Sequence, residues 1–106
     1  QAHTVIMSVA YDAPVEKAMA MLMEIVKRQP RVLKNKAPWV IIDSFGNDGI
    51  DLKAGFWIKD PERGTGSLKS AIMREALEAY NAAGIEIPYQ KHDVNMSGQL
   101  KIIKEG

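Results

Sequence analysis

The fold is decided by the stretch Pro38-Trp-Val-Ile-Ile-Asp-Ser-Phe-Gly-Asn-Asp-Gly-Ile-Asp-Leu-Lys-Ala-Gly-Phe-Trp-Ile-Lys59, which predicts a β-hairpin. Its two arms, residues 39–45 and 50–58, are rich in β-branched and aromatic side chains and flank Gly46-Asn-Asp-Gly49. The glycines of this link tolerate the positive φ angles of a tight turn. The second arm alternates strictly between apolar and other residues, so one face of the predicted sheet is built to be covered and the other is mostly open to water.

One residue of the first arm conflicts with the simplest pairing of the hairpin. A two-residue turn would place Asp43 on the covered face, so we expect a longer loop or a β-bulge near residues 45–49. The alternation places Trp57 on the open face, and we expect Val40 and Ile42 to share that face with it. The open face is therefore predicted to carry an apolar patch.

The composition is that of an ordinary water-soluble globular domain. The chain has 106 residues, of which 46% are apolar and 25% are charged, with a formal net charge of +1 and no cysteine. A chain of this length forms one domain and buries roughly 60 to 65% of its unfolded surface. The charge balance gives no reason to expect a nucleic-acid partner, and the lack of cysteine excludes disulfides and fits a cytoplasmic setting. No apolar run approaches the roughly 20 residues of a membrane-spanning helix, so we expect no direct insertion of this segment into a membrane.

Before the hairpin, the pattern predicts one strand and one helix. Residues 3–11 are apolar on both faces, which favours a central strand. After Pro14, apolar residues recur at three- and four-residue spacing to about Arg28 and predict an amphipathic helix that packs on the sheet. Val32 and Leu33 are expected to anchor the following loop in the core.

The second helix, after the hairpin, has a wider apolar side than one sheet face needs. It is expected to be capped by Thr65 or Ser67 and to run to Ala83. Met73 and Leu77 extend its apolar arc to nearly half of the circumference. Part of this arc is therefore predicted to contact another chain.

This order of elements predicts an α+β fold of the ferredoxin-like type, β-α-β-β-α-β, with an antiparallel sheet and two helices on one face. We expect one domain over residues 1–96 and a C-terminal tail over residues 97–106. Gly84 closes the second helix in the left-handed cap position, with Ile85 as the hydrophobic contact that accompanies such a cap. Two segments compete for the last strand, Ile85-Glu-Ile87 and Leu100-Lys-Ile-Ile103.

The sequence contains no pattern of a catalytic, cofactor-binding or metal-binding site. His3 and His92 each lack a second histidine or a carboxylate at metal-ligand spacing. Gly64-Thr-Gly-Ser67 lacks the lysine of a phosphate-binding loop and indicates a helix start. The basic residues of the loop after the first helix fit a solvated connection better than a phosphate site; they are Arg28, Arg31, Lys34 and Lys36. We therefore predict that the chain is not an enzyme and holds no cofactor or metal.

Trp57 is a large aromatic side chain that the alternation places on the solvent side of the sheet, with Lys53 and Lys59 on the same side. Such a residue on the open face of a sheet is either a lone surface residue or an anchor for another subunit or domain, and we favour the anchor. The predicted subunit contacts share an excess of apolar surface: Val40, Ile42, Trp57, Met73 and Leu77.

Several short segments match the pattern of a known family. They are Val9-Ala-Tyr-Asp12, Arg31-Val-Leu33, Pro38, Phe45-Gly46, Phe56-Trp-Ile58, Gly84-Ile-Glu-Ile-Pro-Tyr89 and Asp93-Val-Asn95. Together they resemble the C-terminal cytoplasmic domain of the small-conductance mechanosensitive ion channel (MscS) family. The most specific segment is the sixth, in which Gly84, Ile85, Pro88 and Tyr89 are the structural motif residues. After it, the family usually continues with Pro-Gln, whereas this chain has Gln90-Lys91, so its path out of the domain is expected to differ.

The resemblance implies that this chain is one part of a larger machine. In that family a membrane pore opens under bilayer tension to release osmolytes, and seven copies of the cytoplasmic region form a hollow cage with side portals. This chain would form the lower cage wall at the cytoplasmic face of the inner membrane. Its partners would be copies of itself and the preceding β domain and membrane pore of the same chain. Residues 100–103 would add a strand to a parallel barrel at the base, and the excised domain would be soluble and serve assembly and solute filtering.

A second interpretation comes from a different functional class. Ferredoxin-like folds also serve as free-standing regulatory modules that bind a small ligand at a dimer interface. A thermal shift on adding amino acids or nucleotides would distinguish the two interpretations, because a saturating ligand stabilises the protein that binds it.

Overall fold

The computed structural model describes residues 2–88, which form three strands and two long helices. The elements are β1 (His3–Val9), α1 (Val15–Lys27), β2 (Trp39–Phe45), β3 (Ile50–Phe56), a short 3₁₀ turn (Pro61–Arg63) and α2 (Gly66–Ala83). The predicted α+β class and the first five elements of the predicted order are confirmed, with boundaries that differ by at most two residues.

The three strands form one antiparallel sheet in the order β1-β3-β2, with β3 in the centre. The alternation of β3 is the one that the sequence predicts, because its even-numbered residues are buried; they are Ile50, Leu52, Ala54 and Phe56. Their partners on β1 include Val9, Met7 and Val5, which are buried as well. One face of the sheet is therefore continuous with the core.

The predicted central place of β1 is wrong for the part of the chain that the structure describes, because β1 lies at an edge of the sheet and pairs with β3 alone. The prediction depended on apolar residues that point to both faces. Val5 and Val9 are buried under the helices, but Ile6 on the opposite face is 46% exposed. The second apolar side of β1 is thus left without a cover by residues 2–88.

A β-bulge resolves the conflict at Asp43. The register of β2 against β3 shifts between Ile42 and Ser44, so Asp43 is the extra residue. The bulge exists as predicted but lies nearer the start of β2 than residues 45–49. It turns Asp43 to the open face of the sheet, where its carboxylate lies 3.2 Å from the ammonium group of Lys53.

Both helices cover the same face of the sheet, α1 over β2 and β3, and α2 over β1. Their inner stripes are buried and consist of Ala18, Leu22, Ile25 and Val26 on α1 and Leu68, Ile72, Ala76 and Tyr80 on α2. The hydroxyl group of Tyr80 donates a 2.8 Å hydrogen bond to the carbonyl oxygen of Ala18. This bond joins the two helices inside the apolar core.

The end of α2 follows the predicted cap. Gly84 has a φ of +76°, in the left-handed region that favours glycine, and the N–H of Ile85 donates a 2.9 Å bond to the carbonyl oxygen of Tyr80. Ile85 is buried, as the motif requires. This pairing of a left-handed glycine with a buried apolar residue ends the helix and turns the chain back towards the sheet.

The last strand of the ferredoxin-like order is not formed by residues 85–87. This segment has no regular secondary structure, and one bond ties it to the chain just past β1, from the N–H of Ala10 to the carbonyl oxygen of Glu86 at 2.9 Å. The other candidate, Leu100–Ile103, lies outside the described residues. So do Tyr89, His92, the expected domain limit at residue 96 and the tail over residues 97–106.

Candidate functional site

The open face of the sheet is shaped by a tryptophan that lies on a glycine. Trp39 pairs with Gly55 across β2 and β3, and a Cβ atom at Gly55 would lie only 2.1 Å from a ring carbon of Trp39. Glycine is therefore required there for close approach rather than for backbone conformation. The indole ring covers the centre of the sheet and leaves Gly55 buried.

Polar groups occupy the other end of the open face. The carboxylate of Asp51 accepts hydrogen bonds from the hydroxyl groups of Ser8 on β1 and Ser44 on β2, the second at 3.0 Å. Asp43 and Lys53 form the ion pair beside it. The hydrogen-bonding groups of these residues bind one another across all three strands, so they stabilise the sheet and are not left available to bind a ligand.

Large apolar side chains are exposed at both edges of the sheet. Seven are exposed among the described residues: Ile6, Tyr11, Ile41, Ile42, Phe45, Met73 and Leu77. They are not scattered. Ile6 on β1 and Met73 and Leu77 on α2 flank one edge, whereas Ile42 and Phe45 lie on β2 at the opposite edge. Contiguous apolar surface of this kind is typical of contact with another molecule.

The β1 side of the domain contains a groove, which we call the edge groove. It has a volume of about 400 Å³ and is lined mainly by Ile6, Met73, Leu77 and Ile87, with Arg74 and Ser70 at its margin. β1 forms its floor and α2 forms its wall. Within residues 2–88, the groove is thus open along the side of β1 that faces away from β3.

The structure divides the five predicted contact residues among three places. Met73 and Leu77 lie together in the edge groove and are 39% and 43% exposed. Ile42 is exposed on the β2 edge, whereas Val40 packs against the core. Trp57 is half-buried just past β3, with the ammonium group of Lys36 5.1 Å from the centre of its ring.

The prediction that Val40 and Ile42 share a face with Trp57 is wrong. Val40 pairs with Ala54 and Ile42 with Leu52, both buried under the helices, so their side chains point to the helix side. The reason is the position of the bulge. An extra residue at Asp43 reverses the side to which every earlier residue of β2 points.

The sequence analysis missed four exposed apolar residues, which are Ile6, Tyr11, Ile41 and Phe45. A signal for Ile6 was present, since it makes β1 apolar on both faces. Ile41 could have been found once the bulge was placed at Asp43. Phe45 and Tyr11 have nearly parallel rings, 6.5 Å apart and inclined by 6°, a contact between residues 34 positions apart that no local pattern predicts.

The basic loop after α1 is used for structure. Arg28 lies 3.0 Å from Glu75, and Arg31 lies 2.8 Å from Asp60 and also donates to the carbonyl oxygen of Gly64. Two lysines of the same loop contact protein groups as well, Lys34 the carbonyl oxygens of residues 27 and 29, and Lys36 the ring of Trp57. Each of the four basic residues has a partner within the domain, so the cluster does not form a free anion site.

Two ionisable groups of the described residues have displaced pKa values. The hydrogen bond from Arg31 is the main reason that the pKa of Asp60 is lowered from its ordinary value. Burial raises the pKa of Tyr80 to about 12. Asp60 is paired with Arg31 and Arg63, and Tyr80 is buried in the core, so pairing and packing explain both shifts.

Residues 2–88 contain no group of three or more His, Asp or Glu side chains arranged to hold a metal ion. Within the same residues, neither helix combines the length and the apolar character that crossing a bilayer requires. The surface features of the described domain are therefore the edge groove, the β2 edge and the open face.

Comparisons with known proteins agree on one family. Residues 3–87 match the family model described as "Mechanosensitive ion channel MscS, C-terminal". The chain is 25% identical over 101 residues to an MscS family protein of Archaeoglobus fulgidus and 24% identical over 91 residues to a small-conductance mechanosensitive channel of Helicobacter pylori. These matches cover 95% and 86% of this chain but only 35% and 33% of the two relatives, so the chain spans about a third of their length.

The fold has a counterpart among solved structures. The crystal structure of Helicobacter pylori MscS in its closed state superposes with a TM-score of 0.75, over 93% of this chain and 39% of that one, at 22% sequence identity. At this identity the likeness establishes the fold, and the arrangement of β1, α1, β2, β3 and α2 is thus one that a channel protein contains.

Proposed function

Since this chain belongs to the family of C-terminal domains of mechanosensitive MscS channels, an ion-channel family rather than an enzyme family, we propose that it is a cage-wall and oligomerisation domain of such a channel. In this proposal the domain lies at the cytoplasmic face of the membrane and stands beside copies of itself. Seven copies would enclose a compartment through which solutes released under osmotic stress pass. The pore and the β domain that precedes this one would be supplied by other parts of the same polypeptide.

The observation that carries the proposal is a group of exposed apolar side chains that lie outside the core. In the described part of the chain, eighteen hydrophobic residues form that core. Met73 and Leu77 lie one helical turn apart on α2, are 39% and 43% exposed, and are not among these eighteen residues. Single exposed apolar residues are common, but a groove lined by several of them is typical of a protein contact surface.

The electrostatics of the domain are consistent with a structural role. Some of the described charges form ion pairs between neighbouring elements, such as Arg31 with Asp60 and Lys53 with Asp43. The formal net charge of the chain is +1. A wall of near-neutral panels would sieve solutes mainly by the size of the openings between them, because it creates little long-range field.

The proposal is tested on the natural full-length polypeptide that carries this sequence. Met73→Ser combined with Leu77→Ser removes the apolar contacts from the groove wall. Lys69→Ser combined with Glu78→Ser is the control on polar positions of the same helix, the first half-buried and the second exposed. We expect native mass spectrometry of detergent-solubilised protein to show fewer complete oligomers for the first pair alone. Survival of cells after osmotic downshock should fall in parallel.

Two results would contradict the proposal. One is a full-length protein that is monomeric in the membrane at wild-type sequence. The other has two parts. The Met73→Ser, Leu77→Ser pair leaves both the oligomer and survival after downshock unchanged, and a small ligand raises the melting temperature of the isolated domain, which would instead support a regulatory module.

Trp57 provides a separate test of the predicted contact set. Trp57→Ala should weaken assembly if the indole ring is an anchor for a neighbouring subunit or domain. Trp57→Phe keeps an aromatic ring for the contact with Lys36 and serves as its control. If the oligomer population of Trp57→Ala on a native gel equals that of Trp57→Phe and of wild type, Trp57 is not a contact residue, and the groove residues remain in the contact set.

A further inference from the structure

We infer that Leu100-Lys-Ile-Ile103 of the same chain pairs with β1 along the edge groove, as the last strand of the sheet. These residues lie outside the described part of the chain, and their sequence left them in competition with residues 85–87 for this place. The inference goes beyond the proposed function, because it concerns how one copy completes its own sheet. It differs from the barrel position that the family resemblance implies for the same residues.

The backbone of β1 offers hydrogen-bonding groups on the side that faces away from β3. The N–H of Ala10 donates to Glu86 on this outer side, whereas the carbonyl oxygen of Val9 lies against Gly49 on the β3 side. Successive residues of a strand point their backbone groups to opposite sides, so every second residue before Ala10 points outward as well. These residues are Thr4, Ile6 and Ser8. Within residues 2–88, β1 has no partner strand on this side, so three N–H and three C=O groups are available for one more strand.

The described chain ends beside this edge. Ile87 lines the edge groove and also a second hollow of about 500 Å³, which continues the groove past the end of α2 to Pro88. Eleven residues separate Pro88 from Leu100, and they can span roughly 36 Å at about 3.3 Å each. β1 has seven residues and is about 23 Å long. The segment Leu100–Ile103 can therefore reach any level of β1, and a strand that enters from this end runs antiparallel to it.

The residues nearer to Pro88 are less suited to this place. Proline has no N–H for a bond between strands, and Pro88 lies against Gly49 at the end of the sheet. The next candidate along the chain is Asp93-Val-Asn-Met96, which has apolar side chains on one side only. Asp and Asn are also depleted in strands. This leaves Leu100–Ile103 as the occupant.

Leu100–Ile103 has apolar side chains for both faces of the sheet. Alternation places Leu100 and Ile102 on one face and Lys101 and Ile103 on the other. With the first pair towards the helices, it packs against the inner side of the apolar groove wall on α2. Ile103 then lies on the open face beside Ile6, which is 46% exposed within the described domain. The outer side of the groove wall stays available for the contact between copies proposed above.

The charges of this segment suit the end of a sheet. β1 is seven residues long and has no lysine, no proline and no bulge in its pairing with β3. Natural edge strands that face water are usually short or charged, which prevents pairing with another chain. Leu100–Ile103 is short and contains Lys101, and Lys104 follows it. Placed outside β1, it replaces an unprotected edge by a protected one.

The test uses engineered disulfides, because this sequence contains no cysteine. The protein is the natural full-length polypeptide, with any cysteine elsewhere replaced and with Ile6→Cys on β1. This variant is combined, one at a time, with Leu100→Cys, Lys101→Cys, Ile102→Cys and Ile103→Cys, and the purified proteins are oxidised. We expect a disulfide within one chain for the second combination, the fourth or both, because those side chains share a face with Ile6. The first and third combinations should form none.

Ile41→Cys is the matched control for Ile6→Cys. Both isoleucines pair with Lys53, lie on the open face and are 46% exposed, but Ile41 is on β2 at the opposite edge. Neighbouring strands lie about 5 Å apart and strands three places apart about 14 Å, whereas a disulfide requires Cα atoms within about 7 Å. Ile41→Cys should therefore form no disulfide within the chain in any of the four combinations. Non-reducing gels separate disulfides within one chain from those between chains, and mass spectrometry of proteolytic peptides identifies the linked residues.

Three results would overturn the inference. Disulfides between two chains would assign the strand to a neighbouring copy. A folded protein in which Ile6→Cys forms no disulfide in any combination would place the segment elsewhere, and covalent dimers of Ile103→Cys alone would favour the barrel. Each of these leaves the proposed function standing as long as native mass spectrometry shows an oligomer. A monomeric full-length protein would overturn the proposed function instead, and a disulfide within its chain would still support the inference.

Discussion

Replacing Tyr80 by phenylalanine should make the domain less sensitive to alkaline unfolding. Tyr80 is fully buried between the two helices and its hydroxyl group bonds to the carbonyl oxygen of Ala18. Burial raises its pKa from 10.0 to about 12. The folded state therefore favours the neutral form of Tyr80 more strongly than the unfolded chain does.

The sign and size of the effect follow from linkage. Below pH 10 the tyrosine is protonated in both states, and its burial carries no pH dependence. Between the unfolded pKa of 10.0 and the folded value of about 12, only the unfolded chain loses its proton, so stability falls as the pH rises. The loss is about 1 kcal/mol at about pH 11 and approaches roughly 3 kcal/mol above the folded pKa, at about 1.4 kcal/mol per pKa unit.

The mutation also removes a buried hydrogen bond, which contributes about 1 kcal/mol at neutral pH. Wild type should thus be more stable than Tyr80→Phe near about pH 8, and the two should become nearly equal near about pH 11. The assay is urea unfolding of both proteins across this range, followed by far-ultraviolet circular dichroism. Tyr11→Phe is the control, because it keeps Tyr80 and should keep the full alkaline loss.

The difference between wild type and Tyr80→Phe cancels the titration of all other groups, so it reports Tyr80 alone. A difference that stays constant from about pH 8 to about pH 11 would show that the hydroxyl group ionises equally in both states. That result would contradict the burial of the Tyr80 hydroxyl group between α1 and α2.

Two further predictions concern the sheet and the loop beside it. Gly55→Ala should destabilise the domain by about 1 to 3 kcal/mol, because the new Cβ atom would overlap the indole ring of Trp39. In a Trp57→Phe background, the fluorescence of Trp39 should shift to longer wavelength. An unshifted spectrum would contradict the contact between Gly55 and Trp39. Asp60→Asn should lower stability near neutral pH and reduce the loss of stability on acidification. The pKa of Asp60 is lowered in the folded state, so its pairing with Arg31 stabilises the fold above the ordinary carboxyl pKa, and this stabilisation is lost as the pH falls through the folded value. Equal acid unfolding of variant and wild type would contradict this role.

Local patterns predicted the hairpin, both helices and the α2 cap because each depends on residues that are close in sequence. The alternation of β3 identifies its buried face without knowledge of the neighbouring strands. Gly84 marks the C-terminal cap of α2, because glycine adopts the left-handed conformation freely. The order of strands is different, since it depends on which edges find partners. The pattern of β1 predicts two covered faces and does not say whether the second cover comes from the same chain.

The face of Val40 and Ile42 shows how one residue changes a prediction for a whole strand. Sequence analysis expected a bulge, because Asp43 would otherwise be buried, but expected it nearer the turn. With the bulge at Asp43 itself, every earlier residue of β2 points to the opposite face of the sheet. Val40 and Ile42 then join the helix side, and the open face receives Trp39 and Ile41 instead.

The path of the chain through the domain supports a lateral rather than an axial use of the sheet edges. His3 begins β1 opposite Phe56, whereas Pro88 lies against Gly49 at the other end of the same sheet. The chain therefore enters at one end of the strands and leaves at the other. The described chain thus occupies both ends of the strands. The surfaces that remain for neighbouring copies are the two sides, and these are the places where β1 with α2, and β2 with Phe45, expose apolar side chains.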